Sequence, residues 1–398
     1  MIYLIIFIYL LILSLVFDFF KVKGPKIFFY YSSMIILILV AGLRWKVGGD
    51  SLGYQERFEK LIYPIYQFGN IDFIKVGWEP GYVLINSICK TIVPEFWFFQ
   101  LVQATFVQII LFQFFKRYTP FYFTAVLFYS VIYYFYFNME ILREIFTICI
   151  FVRFMFPALA KENYKKYYLL NIFLIFFHNS AIILLLFPFL SKFSLNKKGI
   201  IVLVILMFLI TTVFSIFPNI INVFAFTEGL SSKFVKYSRY SLSINGMIYN
   251  IIIFAVIPYY LIKLNEKYYN KLDFEKLIFP YFFIISIYIA YSGFGRFINY
   301  FGLFMLVFFA NTLYLIMHVK VFKEIRVPLI LLLSFGTLYY KYQYYSISYD
   351  YIVNDTSKFN MYYPYSSIFN KEDYYRFRAT IYSRSMSDSY NNSTKNKK

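Results

Sequence analysis

Long apolar runs, each close to the length needed to cross a bilayer, recur from one end of this 398-residue chain to the other. A helix needs about 20 apolar residues to span the hydrocarbon core of a membrane. Only 15% of the residues are charged, which is too few to cover a water-soluble core of this size. A transmembrane barrel would instead show short segments of alternating polarity. The pattern predicts an all-α, polytopic transmembrane bundle of about 10–12 membrane helices, some of them partial or re-entrant.

The basic residues lie mainly in the breaks between these runs. They give the chain a formal net charge of +19, and this placement is typical of loops held on the cytoplasmic side. We therefore expect no nucleic-acid partner. Cys89 and Cys149 lie in apolar stretches far apart in sequence and are predicted to be buried thiols. The two histidines, His178 and His318, have no metal-ligand spacing, so we expect no metal and no cofactor.

Lysines that follow the first run place that loop in the cytoplasm and orient the rest of the chain. The first run is a retained span rather than a signal peptide, because no basic segment precedes it and no small-residue cleavage site follows it. About ten full crossings are expected, and they are predicted at 2–19, 27–43, 96–115, 121–137, the run from Arg143 to Lys161, 199–217, 247–262, 277–291, 297–317 and 328–342.

Two further segments are predicted to enter the membrane without crossing it. Segment 79–90 is only moderately apolar and is expected to lie in the interface or to re-enter. Segment 167–190 is interrupted by His178-Asn179-Ser180 and has lysines on both sides. A hairpin that dips in from the cytoplasm keeps both lysine clusters inside, with His178 at its tip.

These assignments define a single transmembrane domain over 1–345, with outer loops at 44–78 and 218–245. A polar, Tyr-rich tail follows over 346–398, and its end is predicted to be disordered.

The predicted topology brings polar residues from separate stretches to the outer membrane face. Six of them stand out, namely Arg44, Asp50, Tyr54, Glu79, Arg143 and Arg296. Ionisable groups in or beside membrane spans are costly and usually functional. One guanidinium group can donate two parallel hydrogen bonds to two phosphate oxygens, so three arginines suit a pyrophosphate. The alternative is that each arginine pairs with a nearby carboxylate and stabilises the bundle.

His178 also has two interpretations. A histidine among apolar residues is often a core residue bonded to a neighbouring carbonyl group. As a general base, imidazole titrates close to working pH, which favours proton transfer.

The order of several short motifs resembles the EpsG family of exopolysaccharide polymerases, which are relatives of the Wzy-like O-antigen polymerases. The matching motifs are R-W-K-V-G-G-D-S-L-G-Y (44–54), W-E-P-G-Y (78–82), I-L-R-E (141–144), F-H-N-S-A (177–181), G-R-F-I-N-Y-F (295–301) and Y-P-Y-S-S-I (363–368). The family often has Asn before the second of these arginines and Gln after it, where this chain has Glu140 and Glu144.

The resemblance implies a membrane glycosyltransferase that polymerises oligosaccharide repeat units at the outer face of the bacterial cytoplasmic membrane. Its substrates would be units linked to undecaprenyl pyrophosphate. Its partners would be the bilayer and, during export, flippase and chain-length regulator proteins. The polymer would be a capsule, O-antigen or other exopolysaccharide.

The roles that follow from this resemblance can be assigned to single residues. Arg44, Arg143 and Arg296 would bind the pyrophosphate leaving group, without a metal. The proton of the attacking sugar hydroxyl would pass to His178 first in rank, then to Glu79, then to Asp50. Aromatic residues of the outer loops would bind sugars, with stacking expected for three of them, Trp45, Trp78 and Tyr82.

Other functions remain open from the sequence alone. A transferase that uses a polyprenyl phosphate donor would also place acidic residues in the first outer loop, but usually as a pair, and this loop has Asp50 alone. An O-antigen-type ligase would share the arginines and use another acceptor. A lipid-linked oligosaccharide flippase or transporter would carry polar groups along a path to both faces.

Overall fold

The computed structural model describes residues 2–216, 244–269, 273–290, 294–319, 324, 362 and 365–371. Within these ranges the regular structure is helical, with two isolated bridges in place of strands. Among the described residues, four helices are long and apolar enough to cross a membrane, and they are Ile2–Phe19, Phe96–Tyr118, Ile248–Tyr269 and Gly295–His318. The predicted all-α, polytopic membrane class is therefore confirmed.

Part of the predicted topology lies outside the described residues. This applies to nearly all of the loop 218–245, to the last crossing at 328–342 and to most of the tail 346–398. The predicted domain limits therefore stay predictions.

The chain forms two compact units. The first comprises Met1–Cys149, Phe176–His178 and Ile316–Lys398, and the second comprises Ile150–Ile175 and Asn179–Leu315. The helices that begin in the first unit are α1 (Ile2–Leu13, continued by a π-helical turn, Ser14–Phe19), α2 (Lys26–Gly42), α3 (Ser51–Lys60), α4 (Phe73–Val76), α5 (Pro80–Ile92), α6 (Phe96–Tyr118), α7 (Tyr122–Ile132) and α8 (Leu142–Ile150).

The first unit is built on close packing between α2 and α6. Gly42 allows this approach, because a Cβ atom there would lie 2.8 Å from the Cα of Leu101. Polar side chains inside the unit bond one another, as buried polar groups must in a membrane protein. Gln108 donates to the Tyr129 hydroxyl at 3.0 Å, and Asn138 donates to the same oxygen at 2.7 Å.

The second unit contains a helical fold-back and a set of longer apolar helices. Its helices are α9 (Phe156–Ala160), α10 (Tyr164–Ile175), α11 (Phe187–Leu190), α12 (Lys197–Ile216), α13 (Ile244–Ile251), α14 (Ile257–Tyr269), α15 (Glu275–Ala290) and α16 (Gly295–His318), with a 3₁₀ segment at Asn179–Leu186. α12 packs along α15. Within the interruption predicted at residues 178–180, His178 lies between α10 and the 3₁₀ segment, and Asn179 begins the 3₁₀ segment.

The fold-back is held by two hydrogen bonds in antiparallel order. Tyr167 donates to the carbonyl oxygen of Leu184 at 2.8 Å, and Asn171 donates to that of Ala181 at 3.0 Å. The predicted hairpin over 167–190 is thus present as a reversal of the chain. Its depth in the membrane stays a prediction.

Candidate active site

A buried cluster of charged side chains occupies the first unit, where the start of α5, the start of α8 and the segment Phe176–His178 meet. Arg143 Nη1 lies 2.6 Å from Glu79 Oε2, and His178 Nδ1 lies 3.1 Å from Glu79 Oε1. His178 Nε2 lies 3.8 Å from Glu144 Oε2. Only 8% of the Glu79 side chain and 2% of the Glu144 side chain are exposed. Three segments that are distant in sequence therefore place two carboxylates, a guanidinium and an imidazole in one site.

Local backbone structure explains how Glu79 reaches this cluster. Glu79 is the residue before α5, and Pro80 takes the first helical position, where its missing N–H leaves no hydrogen bond unmade. The next residue, Gly81, donates its N–H to the carbonyl oxygen of Phe176 at 2.8 Å. A Cβ atom at Gly81 would approach that oxygen to 2.9 Å. This close contact fixes the Phe176–His178 segment against the start of α5.

The charged neighbours of Glu79 decide its ionisation. Burial alone would raise the pKa of this carboxyl group, but the hydrogen bond from His178 and the positive charge of Arg143 outweigh burial and lower the pKa to about 2. Glu79 is therefore ionised at neutral pH and holds Arg143 and His178 on its two oxygens.

Gln103, on α6, aligns the two helices that carry the cluster. Its amide nitrogen donates to the carbonyl oxygen of Leu142 at 2.6 Å, and its amide oxygen accepts a longer bond from the Tyr82 hydroxyl at 3.4 Å. Tyr82 belongs to α5 and Leu142 begins α8. One buried side chain thus connects the starts of both helices.

The predicted sugar-binding aromatics Trp78 and Tyr82 lie in the core beside the cluster. Together with Tyr54 they are at most 7% exposed, and the Trp78 ring centroid lies 5.2 Å from that of Tyr54 and 5.3 Å from that of Tyr82. Burial raises the pKa of Tyr54, and its protonated hydroxyl bonds Arg143. In this conformation Trp78 and Tyr82 belong to the buried apolar core that also contains Tyr54 and Leu142.

Arg44 has different hydrogen-bond partners, although it lines a small cavity together with Gln103 and Leu142. The residue is 1% exposed, and its guanidinium group donates to the backbone carbonyl oxygens of Ala41 and, at 3.2 Å, Val47. With its amide oriented to satisfy both groups, Gln100 accepts from Arg44 Nη2 and donates to the Arg44 carbonyl oxygen, each at 3.1 Å. Burial lowers the pKa of Arg44 to about 10, so the side chain remains charged at neutral pH.

Residues 365–371 fold over the turn that contains Arg44. Trp45 donates its N–H to the Ser366 carbonyl oxygen at 2.9 Å, and the Ser366 hydroxyl donates to the Trp45 carbonyl oxygen at 2.7 Å. Lys371 Nζ lies 4.4 Å from the centroid of the half-buried Trp45 ring. This segment covers the Arg44 turn from a position more than 300 residues later in the sequence.

Asp50 and Arg296 complete the set of predicted site residues. Asp50 is exposed at the start of α3, one turn before Tyr54. Arg296 is exposed near the start of α16 and belongs to the second unit. The structure therefore brings Glu79, Arg143, His178 and Tyr54 together in the first unit and encloses the guanidinium of Arg44 among backbone carbonyl oxygens and the Gln100 amide.

Comparison with known proteins gives a family. The sequence model of the EpsG family matches residues 27–367. The chain belongs to the EpsG family. No curated protein and no solved structure matches it.

Membership of the EpsG family supports a membrane enzyme that polymerises polysaccharide, in general terms. The matched range includes every residue of the charged cluster and ends within the segment that covers Arg44. In this EpsG-family protein the motifs 78–82, 141–144 and 177–181 meet at one site, to which they contribute Glu79, Arg143, Glu144 and His178.

Sequence reasoning missed Glu144 and Gln103. Glu144 follows Arg143 directly, and its position near His178 depends on the fold-back of Phe176–His178 onto α5. Gln103 sits inside an apolar run, where a buried amide in a membrane helix is itself a sign of a structural or functional hydrogen bond. That signal was available in the sequence.

Proposed function

We propose that this protein joins oligosaccharide repeat units that are linked to undecaprenyl pyrophosphate, at the outer face of the cytoplasmic membrane. The single observation that carries the proposal is the buried contact between Arg143, Glu79 and His178. It combines a group that can bind a departing pyrophosphate with groups that can exchange a proton, and both are required when a sugar hydroxyl displaces a pyrophosphate.

Arg143 is the main pyrophosphate-binding residue in this proposal. Its side chain is 18% exposed, and its buried Nε–H has no hydrogen-bond partner among the residues that the structure describes. An arginine N–H that has no acceptor within the protein can form a charge-assisted hydrogen bond with a phosphate oxygen. Arg296 is proposed as a second contact because it is charged and exposed.

Arginines placed where negative charge develops stabilise the transition state without help from solvent. As the bond between the anomeric carbon and the pyrophosphate oxygen breaks, one further negative charge appears on the leaving group. A fixed guanidinium in a site shielded from water offsets that charge strongly, because the local dielectric response is weak.

The test uses a strain deleted for this gene and complemented with wild type, Arg143→Ala, Arg296→Ala or Arg117→Ala. Arg117 is exposed at the end of α6 and serves as the matched control. We expect wild type and the Arg117 variant to restore long surface polysaccharide, and the Arg143 variant to leave single units on their lipid carrier.

Protein amount in the membrane is measured in each strain. Long chains made by the Arg143 variant would contradict the proposal. Long chains of altered sugar composition in the deletion strain would instead indicate a transferase that adds single sugars.

A further inference from the structure

A groove lies along α3, in the first unit. It has a volume of about 310 Å³ and is lined by Gly53, Glu56, Arg57, Lys60 and Leu61. This volume is at the lower end of the range for small-molecule sites, which is about 300–1,000 Å³. Two of the lining side chains are positive and one is negative, so the net charge of the groove is +1. A positive groove favours an anionic ligand.

Arg57 differs from two neighbouring cations in its partners. Lys60 Nζ lies 3.0 Å from Glu56 Oε1, and Lys75 Nζ lies 3.3 Å from Asp72 Oδ2. Arg57 is exposed, and no hydrogen bond or ion pair joins its guanidinium group to another residue that the structure describes. A guanidinium without an acidic partner can use its planar set of donors to bind a phosphate.

The end of α3 does not need the charge of Arg57. Basic side chains often occur at the last turn of a helix, where they bond its free carbonyl groups. Lys90 of α5 already has this role. Its Nζ donates at 2.7, 3.0 and 2.8 Å to the carbonyl oxygens of Phe58, Glu59 and Ile62. A role in capping this helix therefore does not explain Arg57.

Two contacts define where the guanidinium of Arg57 lies. Its Cζ is 5.9 Å from the centroid of the Trp78 ring, a distance at which a cation is attracted to an aromatic face. Its Nη1 would lie 3.7 Å from a Cβ atom at Gly53. The side chain therefore runs back along α3 toward Gly53, as long side chains on helices usually do.

Gly53 leaves open space beside this guanidinium. Glycine weakens the interior of a helix relative to alanine, and Gly53 is the third residue of α3. A Cβ atom there would make only an ordinary contact with Arg57, so packing does not require a glycine. The missing side chain instead widens the groove where the guanidinium lies.

A short series of contacts connects this groove to the charged cluster. Tyr54 precedes Arg57 by three residues and is its neighbour on the helix surface. The Trp78 ring contacts both of them, because its centroid lies 5.9 Å from Arg57 Cζ and 5.2 Å from the centroid of Tyr54. The Tyr54 hydroxyl in turn bonds Arg143. One pair of aromatic rings thus connects two guanidinium groups.

The proposed reaction brings two pyrophosphates to the protein at the same time. On the growing chain, the bond between the anomeric carbon and the pyrophosphate oxygen breaks, and its electron pair stays on that pyrophosphate. The hydroxyl oxygen of the incoming unit forms the new bond to the same carbon, and its proton leaves to a carboxylate of the cluster or to water. The incoming unit stays bonded to its own carrier, so its pyrophosphate is unchanged.

We propose that Arg57 binds the pyrophosphate of the incoming lipid-linked unit in the groove along α3, while Arg143 binds the pyrophosphate that leaves. The inference rests on the proposed function and deepens it by assigning each substrate to its own cation. The pyrophosphate of the incoming unit carries the same charge before and during the reaction. Arg57 therefore contributes to substrate binding and not to the rate of the chemical step.

The first experiment measures binding of inorganic pyrophosphate by calorimetry, with full-length protein in phosphatidylcholine nanodiscs. Wild type is compared with Arg57→Ala, with Gly53→Leu, which fills the groove without changing its charge, and with Arg117→Ala as the control. We expect wild type and the control to bind two pyrophosphate ions per molecule. Arg57→Ala and Gly53→Leu should bind one, and equal melting midpoints identify variants that are folded.

Two ions bound by Arg57→Ala would overturn the proposal, and so would fewer than two bound by wild type. Because a membrane lipid also carries a phosphate, the measurement is repeated in phosphatidylglycerol nanodiscs. Retention of both ions there supports the proposal. Loss of the Arg57-dependent ion alone would show that the groove holds a lipid headgroup, which would overturn it.

Chain growth then separates this inference from the proposed function. The probe is the lipid-linked repeat unit extracted from the deletion strain. We expect the concentration of unit at half-maximal rate to rise about tenfold in Arg57→Ala, as for the loss of one charge-assisted hydrogen bond. The rate at saturation should stay within about twofold of wild type, because uniform binding affects KM alone. Arg57→Lys, which keeps the charge, should lie between the two.

A lower saturating rate in Arg57→Ala, with an unchanged half-saturating concentration, would overturn the inference alone. No chain growth by wild-type protein that binds two pyrophosphate ions would overturn the proposed function and leave the groove as an anion site.

Discussion

Arg44, which is buried, and Arg143, which is partly buried, both belong to the first unit, yet their surroundings differ in kind. Arg44 is enclosed by neutral acceptors, namely backbone carbonyls and the Gln100 amide. Arg143 contacts a carboxylate and a tyrosine hydroxyl at the edge of a charged cluster. A guanidinium bonded by carbonyls completes a turn of the backbone. A guanidinium held by an ionised side chain can exchange that partner for a phosphate, and the predictions below use this difference.

The largest expected effect is that of Arg143→Lys on catalysis. Lysine keeps the charge but loses the planar fork that binds two oxygens at once. Removing one well-placed donor to a developing anion costs about 10²–10³ in rate. We expect chain growth to fall by about that factor while membrane protein stays at the wild-type amount. Gel profiles of surface polysaccharide, normalised to protein, measure it.

Arg117→Lys is the control for this substitution. A normal rate of chain growth in Arg143→Lys would contradict the catalytic role assigned to Arg143.

Arg44→Lys should act on folding instead. Lysine cannot reach the carbonyl oxygens of Ala41 and Val47 and the Gln100 amide together, so several buried acceptors lose their donors. Each such loss costs about 1–3 kcal/mol. We expect a lower midpoint of thermal unfolding in detergent and less protein in the membrane, with an unchanged rate per molecule. A normal melting midpoint combined with a loss of chain growth would show that Arg44 acts in catalysis rather than in folding.

Glu79→Gln should reveal a pH-dependent contribution to stability. The pKa of Glu79 falls from an ordinary value of 4.5 to about 2 in the folded protein. A depressed pKa stabilises the folded state above the unfolded value, and this contribution disappears as pH falls from 4.5 toward 2. At pH 6–8 we expect the free energy of unfolding of wild type to exceed that of Glu79→Gln by on the order of 3 kcal/mol, and its melting midpoint to be higher.

The stabilities of wild type and Glu79→Gln should converge as pH falls from 4.5 toward 2, because the unfolded carboxyl group gains its proton first and the native one only near pH 2. Melting curves across this range measure the difference. A gap that does not depend on pH would show that Glu79 acts through packing rather than charge.

Gly48→Ala should give a smaller effect on the Arg44 side. Gly48 has φ +107°, and a Cβ atom there would lie 2.6 Å from the Met139 carbonyl oxygen. A backbone conformation of this kind costs about 1–3 kcal/mol in a residue with a side chain. We expect a lowered melting midpoint, whereas Gly69→Ala, where nothing lies within 4 Å, should be close to neutral. Equal midpoints for the two variants would mean that the turn at Gly48 is not fixed.

Several features of the fold were predictable from the sequence because they depend on local composition. The apolar runs identified the membrane class, and the polar triplet at 178–180 identified the reversal between α10 and the 3₁₀ segment. The predicted outer face already grouped Glu79 with Arg143, whereas His178 was predicted at the tip of a hairpin entering from the cytoplasm, and its contact with Glu79 depends on tertiary structure.

The environments of the arginines could not be predicted, because each depends on contacts between distant segments. No local pattern indicates that Gln100 and residues 365–371 enclose the Arg44 turn. The burial of Trp78 and Tyr82 likewise follows from how α3, α5 and α6 pack. The sequence was enough to predict which charged residues form the site. It was not enough to predict which groups surround each of them, because those contacts join distant segments.

The segment that covers Arg44 has a consequence for biogenesis. The turn at Leu43–Trp45 leaves the ribosome early, yet its hydrogen-bond partners Ser366 and Ile368 are translated near the end of the chain. During synthesis this turn must therefore wait for almost the whole protein to be inserted before its backbone groups find those partners. A nascent chain that stops short of residue 366 retains an incomplete turn, a difference that membrane quality-control proteases could detect. The contact between this turn and residues 366–368 therefore forms only after the segments between them have been made.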